Sequence, residues 1–158
     1  MIQTCEISPG PATVVVRANG AVSPAAAISV RQAGPGVFTN AQGQAAARND
    51  DQSVNSPQHP AAPGRVVSIY FTGFGPLSAA LDDGAGAPVT PLIRSTAQVS
   101  VTIGGVPALI RYAGLAPNYA GLGQLNVEIP ALPGGTYPVV VTIAGAAGNS
   151  ALISIAAP

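Results

Sequence analysis

The chain has 158 residues with six Arg or Lys and six Asp or Glu, so its formal net charge is zero. All six cations are scattered Arg residues, which excludes the basic face of a nucleic-acid-binding protein. Charged residues make up 8% and hydrophobic residues 47%, which excludes intrinsic disorder and predicts a core of small aliphatic side chains. No apolar run approaches the roughly twenty residues of a spanning helix, so we expect no membrane insertion. Residues 1–30 show no signal-peptide pattern.

Nineteen Gly and sixteen Pro divide the chain into short segments rich in Ala, Val, Ile, Thr and Ser, which is typical of many short strands. No window shows helical periodicity. The strands predicted from residue 65 onward have the spacing of an immunoglobulin-like β-sandwich. In chain order, the pattern predicts strands at residues 2–7, 12–18, 25–31, 37–39, 66–72, 98–103, 106–112, 124–129, 137–144 and 150–156.

Three connections carry their own signals. Asn19-Gly20 is typical of a hairpin turn, and Pro24 suggests a loop longer than two residues. Residues 40–63 are polar and Pro-rich, and they predict an irregular connection with one weak hairpin, Gln44 to Arg48 and Gln52 to Asn55. Residues 77–95 predict a long loop.

The chain contains one stretch twice. Val14 to Ala21 returns without a gap as Val139 to Ala146, and Ile28-Ser29-Val30 returns as Ile153-Ser154-Ile155. Upstream, Glu6-Ile7 is answered by Glu128-Ile129. Each copy reads as strand, tight turn and strand, with Gly20 or Gly145 at the turn, which indicates the tail of one β module followed by a whole one.

The duplication predicts three parts. They are an N-terminal β-hairpin from a repeated module at residues 1–33, a connecting segment at 34–64 and an immunoglobulin-like sandwich at 65–158. Since a lone hairpin is marginal in water, we expect residues 2–31 to complete a sheet or to bury a face against residues 37–55. Cys5 is the sole cysteine, which excludes an intrachain disulfide, and it occupies the place of Val127, as expected of a small buried residue.

Three phrases carry a family resemblance. Val67 to Gly75, Val101 to Ala108 and Gln124 to Pro130 resemble strands and a hairpin of IPT/TIG-type immunoglobulin-like domains. The longer chain resembles a module found at the C-terminus of large secreted acidobacterial proteins, in phrases such as Pro35 to Thr39 and Tyr112 to Pro117. The resemblance implies an immunoglobulin-like fold and a secreted or cell-surface location, and it implies no chemistry. This chain differs in starting within a module at Met1.

Residues that could carry chemistry are few. His59 is the only histidine, lies between prolines and accompanies no nucleophile elbow, so we expect a solvated loop residue and no enzyme. With one His and one Cys, transition-metal ligands are too few and no cofactor is expected. Two acidic doublets are candidates for Ca²⁺, with turn formation as the simpler interpretation. They are Asp50, Asp51, Asp82 and Asp83.

The function favoured by this sequence is structural. We expect a non-catalytic extracellular spacer, adhesion or self-assembling module whose partners are copies of itself or neighbouring modules joined by strand pairing. The alternative is a carbohydrate-binding module that stacks sugars on surface tyrosines and so has a polysaccharide partner. The candidates for that site are Tyr70, Tyr112 and Tyr119. The absence of Trp argues against it, and Phe38, Phe71 and Phe74 are expected in the core.

Overall fold

The structure, a computed structural model, describes residues 8–157. Every regular element among them is a β-strand, which confirms the all-β prediction, and they include no helix able to cross a membrane. The strands are β1 (Gly10–Val14), β2 (Arg17–Ala18), β3 (Ala21–Val22), β4 (Ala26–Val30), β5 (Gly36–Val37), β6 (Ala47–Arg48), β7 (Val66–Thr72), β8 (Val99–Ile103), β9 (Val106–Pro107), β10 (Ile110–Leu115), β11 (Gly123–Glu128), β12 (Gly135–Ile143), β13 (Ala146–Ala147) and β14 (Ala151–Ile155).

Two five-stranded antiparallel sheets form a β-sandwich. The first sheet has the order β10-β11-β7-β5, with β6 also paired to β7. In the second sheet β12 lies between β8 and β14, β9 pairs with β8, and β13 pairs with the end of β12. The alternation in β7 shows why the sheets pack face to face, because Val67, Ile69 and Phe71 are buried while Ser68 and Tyr70 point the other way. These side chains share one core with Val101, Ile103, Val139, Val141 and Ile153 of the second sheet.

The connecting segment joins both sheets. Val37 and Ala47 pair with β7 of the first sheet, whereas Gln44 and Ala61 form parallel bridges to β14 of the second. The predicted weak hairpin is confirmed, since Arg48 bridges Val54 and the amide of Asn49 donates to Ser53 O. The predicted boundaries at residues 33/34 and 64/65 stay a prediction.

Two local predictions are wrong. The turn at Asn19-Gly20 has only two residues, because Ala18 pairs directly with Ala21; Pro24 interrupts the ladder below the turn and does not lengthen it. The strand predicted at residues 106–112 is two strands in different sheets, because the chain leaves β8 after Pro107 and crosses to β11 at Ile110. The strand predicted at residues 2–7, together with Cys5 and Glu6, lies outside the described residues.

Candidate functional site

The N-terminal hairpin repeats the closing hairpin in register. Gly10 pairs with Val30 and Val14 with Ala26, as Gly135 pairs with Ile155 and Val139 with Ala151. Nearer the turn, Ala18 pairs with Ala21 as Ile143 pairs with Ala146. The irregular stretch between these two paired segments also recurs. In it Ser23 N donates to Val16 O, as Gly148 N donates to Val141 O. The duplication seen in the sequence is therefore a duplication of structure.

The two turns also share their backbone conformation. Asn19 and Gly20 have φ of 49° and 80°, and Ala144 and Gly145 have φ of 49° and 78°. Two successive residues with positive φ make the turn that matches the twist of antiparallel strands, and glycine adopts this conformation without steric cost. The predicted roles of Gly20 and Gly145 are confirmed.

The inner faces of the two hairpins have opposite exposure. Val14, Val16 and Ile28 are 41%, 59% and 43% exposed. Their counterparts Val139, Val141 and Ile153 are 0% exposed, because the first sheet covers them. The inner face of the N-terminal hairpin is thus an apolar surface that residues 8–157 leave open.

The expectation that the N-terminal hairpin buries a face against residues 37–55 is wrong for the described residues. The strands β1 to β4 form two separate two-stranded sheets, β1 with β4 and β2 with β3. Neither is joined to the sandwich sheets. Residues within 34–64 pair instead with β7 and β14, so their backbone groups at those positions are already bonded within the sandwich.

A buried amide cluster holds the connecting segment to β14. Asn55 is fully buried; its Nδ2 donates to Ser154 O at 2.9 Å and to Asn49 Oδ1 at 3.0 Å. Its Oδ1 accepts from Ser154 N at 2.8 Å and from Gln44 Nε2 at 3.0 Å. The carboxamide therefore pairs with the Ser154 backbone as a neighbouring strand would.

Sequence reasoning missed this amide cluster. Asn49 and Asn55 sit in a polar, Pro-rich stretch, where Asn ordinarily indicates a turn. The partner, Ser154, is 99 residues from Asn55, so no local pattern connects them. Asn149 similarly binds Val37, accepting from its N–H at 2.7 Å and donating to its carbonyl at 3.0 Å.

The first candidate Ca²⁺ doublet already has partners. Asp50 Oδ2 forms an ion pair with Arg65 Nε at 2.6 Å. Asp51 Oδ1 accepts from Ser53 Oγ at 2.6 Å and Ser53 N at 2.9 Å, and the Ser53 hydroxyl is the main reason that the pKa of Asp51 lies below its ordinary value. These contacts favour turn formation over cation binding.

The second doublet lies in another loop. The carbonyl of Asp82 accepts from the amide of Ala85 and closes a turn, and the side chains of Asp82 and Asp83 are exposed. The structure does not bring the two doublets together into one site. Across residues 8–157, no group of three or more His, Cys, Asp or Glu side chains is arranged to hold a metal.

The three candidate tyrosines lie in different environments. Tyr112 is buried, with its hydroxyl 2.9 Å from Ile93 O and 2.6 Å from Leu115 O, so its ring is not a sugar platform. Burial raises the pKa of Tyr112, and the Arg94 guanidinium over the ring partly opposes that. Tyr119 is 59% exposed on a loop, and Tyr70 is half-buried on β7.

On the outer face of the first sheet, Tyr70 lies beside other side chains that could contact a sugar. Phe38 lies opposite Tyr70, donating its N–H to Tyr70 O, and is exposed, so the expectation of a core role for Phe38 is wrong. On the other side Tyr70 pairs with Gln124, whose Nε2 donates to Asn126 Oδ1 at 2.9 Å. The other two phenylalanines behave as expected, since Phe71 is buried and its ring makes an edge-on contact with Phe74.

His59 lies on the exposed turn after Ser56. Its backbone carbonyl accepts from Asn49 Nδ2 at 2.8 Å. In these contacts His59 supports the amide cluster through its main chain.

No family model matches the chain, and no curated protein matches it.

Proposed function

We propose that this chain is a non-catalytic extracellular structural module, a spacer or adhesion unit that assembles with copies of itself or with neighbouring modules by pairing strands. One observation carries the proposal. The same hairpin occurs twice in the same register, buried in the sandwich as β12–β14 and exposed as β1–β4. A unit that repeats its closing element is built as arrays of small modules are built.

The stability of the N-terminal hairpin supports an assembly role. A two-stranded hairpin is marginal in water unless something packs on its apolar face. Val14, Val16 and Ile28 expose that face, and each would gain roughly 1 kcal/mol if its exposed part were covered. Association is the direct way to realise that gain.

The strand order supports an immunoglobulin-like module. The orders β10-β11-β7-β5 and β9-β8-β12-β14 resemble those of the two sheets of immunoglobulin sandwiches, and this resemblance supports the finer assignment. Together with the IPT/TIG-like phrases at Val67 to Gly75 and Val101 to Ala108, this order supports a module of the acidobacterial secreted type, and the secreted or cell-surface location rests on that resemblance.

Self-association of the full chain tests the proposal. In one variant, Val14→Thr, Val16→Thr and Ile28→Thr make the inner face polar while keeping β-branched residues. The matched control, Val15→Thr with Val22→Thr, changes exposed valines that lie outside this inner-face set. We expect size-exclusion chromatography with light scattering to show a mass that rises with concentration for the full chain and the control, and a monomer for the inner-face variant. A monomeric full chain at its highest soluble concentration contradicts self-assembly.

One observation favours carbohydrate binding as the second candidate function. Phe38, Tyr70, Gln124 and Asn126 lie side by side on the outer face of the first sheet, and rings beside amides are a usual way to bind sugars. Pull-down on insoluble polysaccharide and a glycan array test it. We expect binding to be lost in Tyr70→Ala and kept in Tyr119→Ala; equal binding by both variants, or none by the unaltered chain, contradicts this site.

A further inference from the structure

The outer edge of β14 is covered by the connecting segment. Leu152 N donates to Gly43 O and Leu152 O accepts from Ala45 N, both at 2.8 Å. Further along, Ser154 O accepts from Ala61 N at 2.9 Å. The Asn55 carboxamide takes the place between these bonds, where Ser154 N would otherwise lack an acceptor. The closing hairpin is therefore held on its inner face by the first sheet and on its edge by residues 43–61.

Residues 8–157 leave the corresponding edge of β4 uncovered. Ala27 and Ser29 stand where Leu152 and Ser154 stand in the second copy. No hydrogen bond from residues 8–157 reaches the outer edge of β4 at Ala27 or Ser29. The N-terminal hairpin thus keeps the register of the closing hairpin, and residues 8–157 supply neither of the two coverings.

We propose that residues 10–31 are the closing hairpin of a second module of this same construction. In that module residues 14–18 pair with the strand equivalent to β8, as residues 139–143 pair with β8 here. The residue equivalent to Asn55 binds the backbone of Ser29. This inference rests on the proposed structural role and names the partner and its contact. The modules of an array then interlock, each completing the sandwich of another.

The side chains fit that place at most positions. Val14, Val16, Ile28 and Val30 stand where Val139, Val141, Ile153 and Ile155 fill the core, with equal or nearly equal volumes. Such volume-conserving replacements are the ones that cores tolerate.

Two positions differ in size. Ala12 stands at the place of the half-buried Tyr137, and Ala18 at the place of the buried Ile143. In this chain's own groove the two alanines would leave space, so the natural acceptor must be bulkier there. The partner is thus a related module with larger side chains opposite Ala12 and Ala18.

A tandem chain that retains residues 8–158 tests the inference. Residues 33–132 are joined directly ahead of residue 8, which preserves the spacing of the duplication and places residues 10–31 where the closing hairpin follows residue 132 in this chain. The readout is hydrogen exchange of the Ser29 amide by NMR, with Ser154 as the internal reference. At a concentration where the natural chain is monomeric by light scattering, we expect Ser29 to exchange rapidly in the natural chain and about tenfold or more slowly in the tandem.

Two variants of the tandem make the result specific. Asn55→Ala in the added module alone is expected to return Ser29 exchange to the fast rate while Ser154 stays protected. Ala12→Tyr with Ala18→Ile restores the bulk of the closing hairpin and is expected to slow Ser29 exchange further. If Ser29 stays fast in both the tandem and this repacked variant, the inference is overturned.

Self-pairing of the hairpin gives a different result. Ser29 protection that grows with concentration in the natural chain and is unchanged by Asn55→Ala would show that two hairpins cover each other, and this also overturns the proposed partner. The proposed structural role is judged separately by light scattering, since a tandem can close even where the natural chain remains a monomer.

Discussion

Replacing Asn55 by Ala is the sharpest test of how the connecting segment is held. The carboxamide makes four hydrogen bonds, to Ser154 N, Ser154 O, Asn49 and Gln44. Its removal leaves Ser154 N, which is buried, without an acceptor, and deprives Asn49 Oδ1 of a donor. Each unsatisfied buried group costs about 1–3 kcal/mol. Because Ser154 O keeps its bond from Ala61, we expect Asn55→Ala to lose about 3 kcal/mol in total.

The assay is chemical unfolding followed by far-UV circular dichroism, since the chain has no Trp. The matched control is Asn126→Ala, which removes a half-buried amide bonded to Ser68 and Gln124 on the outer face. We expect the control to cost less than about 1 kcal/mol, because water replaces its partners. If Asn55→Ala and Asn126→Ala lower the free energy of unfolding equally, the amide cluster does not hold β14 and the reasoning is refuted.

Two further predictions concern single residues. Gly73→Ala should lower the free energy of unfolding by more than about 2 kcal/mol, because the φ of Gly73 is 72° and a Cβ there would overlap Gly34 O. The control, Gly64→Ala, has a similar φ of 77° with open space around the Cβ and should cost about 1 kcal/mol in the same unfolding assay. Equal costs contradict the overlap at Gly73. Burial raises the pKa of Tyr112 above 10.0, so its neutral form stabilises the fold fully below pH 10, and this is lost as the pH rises through the folded pKa. Above pH 10, the free energy of unfolding should fall less steeply in Tyr112→Phe than in Tyr119→Phe; identical slopes contradict this.

Strands with a clear period of two could be predicted from the sequence. The bounds predicted for β7, residues 66–72, are those observed, and the buried Val67, Ile69 and Phe71 alternate with Ser68 and Tyr70 on the other face. The duplicated hairpin was also visible, because residue types keep their spacing wherever the backbone keeps its register. Local pattern is sufficient where the two faces of a strand meet different environments.

Tyr112 shows where local pattern fails. The register shifts between Ile110 and Tyr112, so the side chain moves to the outer face of the sheet. That face is covered there by residues 93–94, since Arg94 bridges Gly114 and stacks on the Tyr112 ring. A bulge and a covering loop are tertiary features, and neither leaves a periodic signal in the sequence.

The two outer edges support the partner proposed for the N-terminal hairpin. Natural proteins protect an open strand edge with charge, proline, a bulge or a covering segment. On β14 the protection is a covering segment, residues 43–61, with Asn55 bound at Ser154. At Ala27 and Ser29, β4 has none of these devices within residues 8–157, although its register and apolar face are those of β14. An edge kept in pairing register and left without protection is suited to receive a segment like 43–61 from another module.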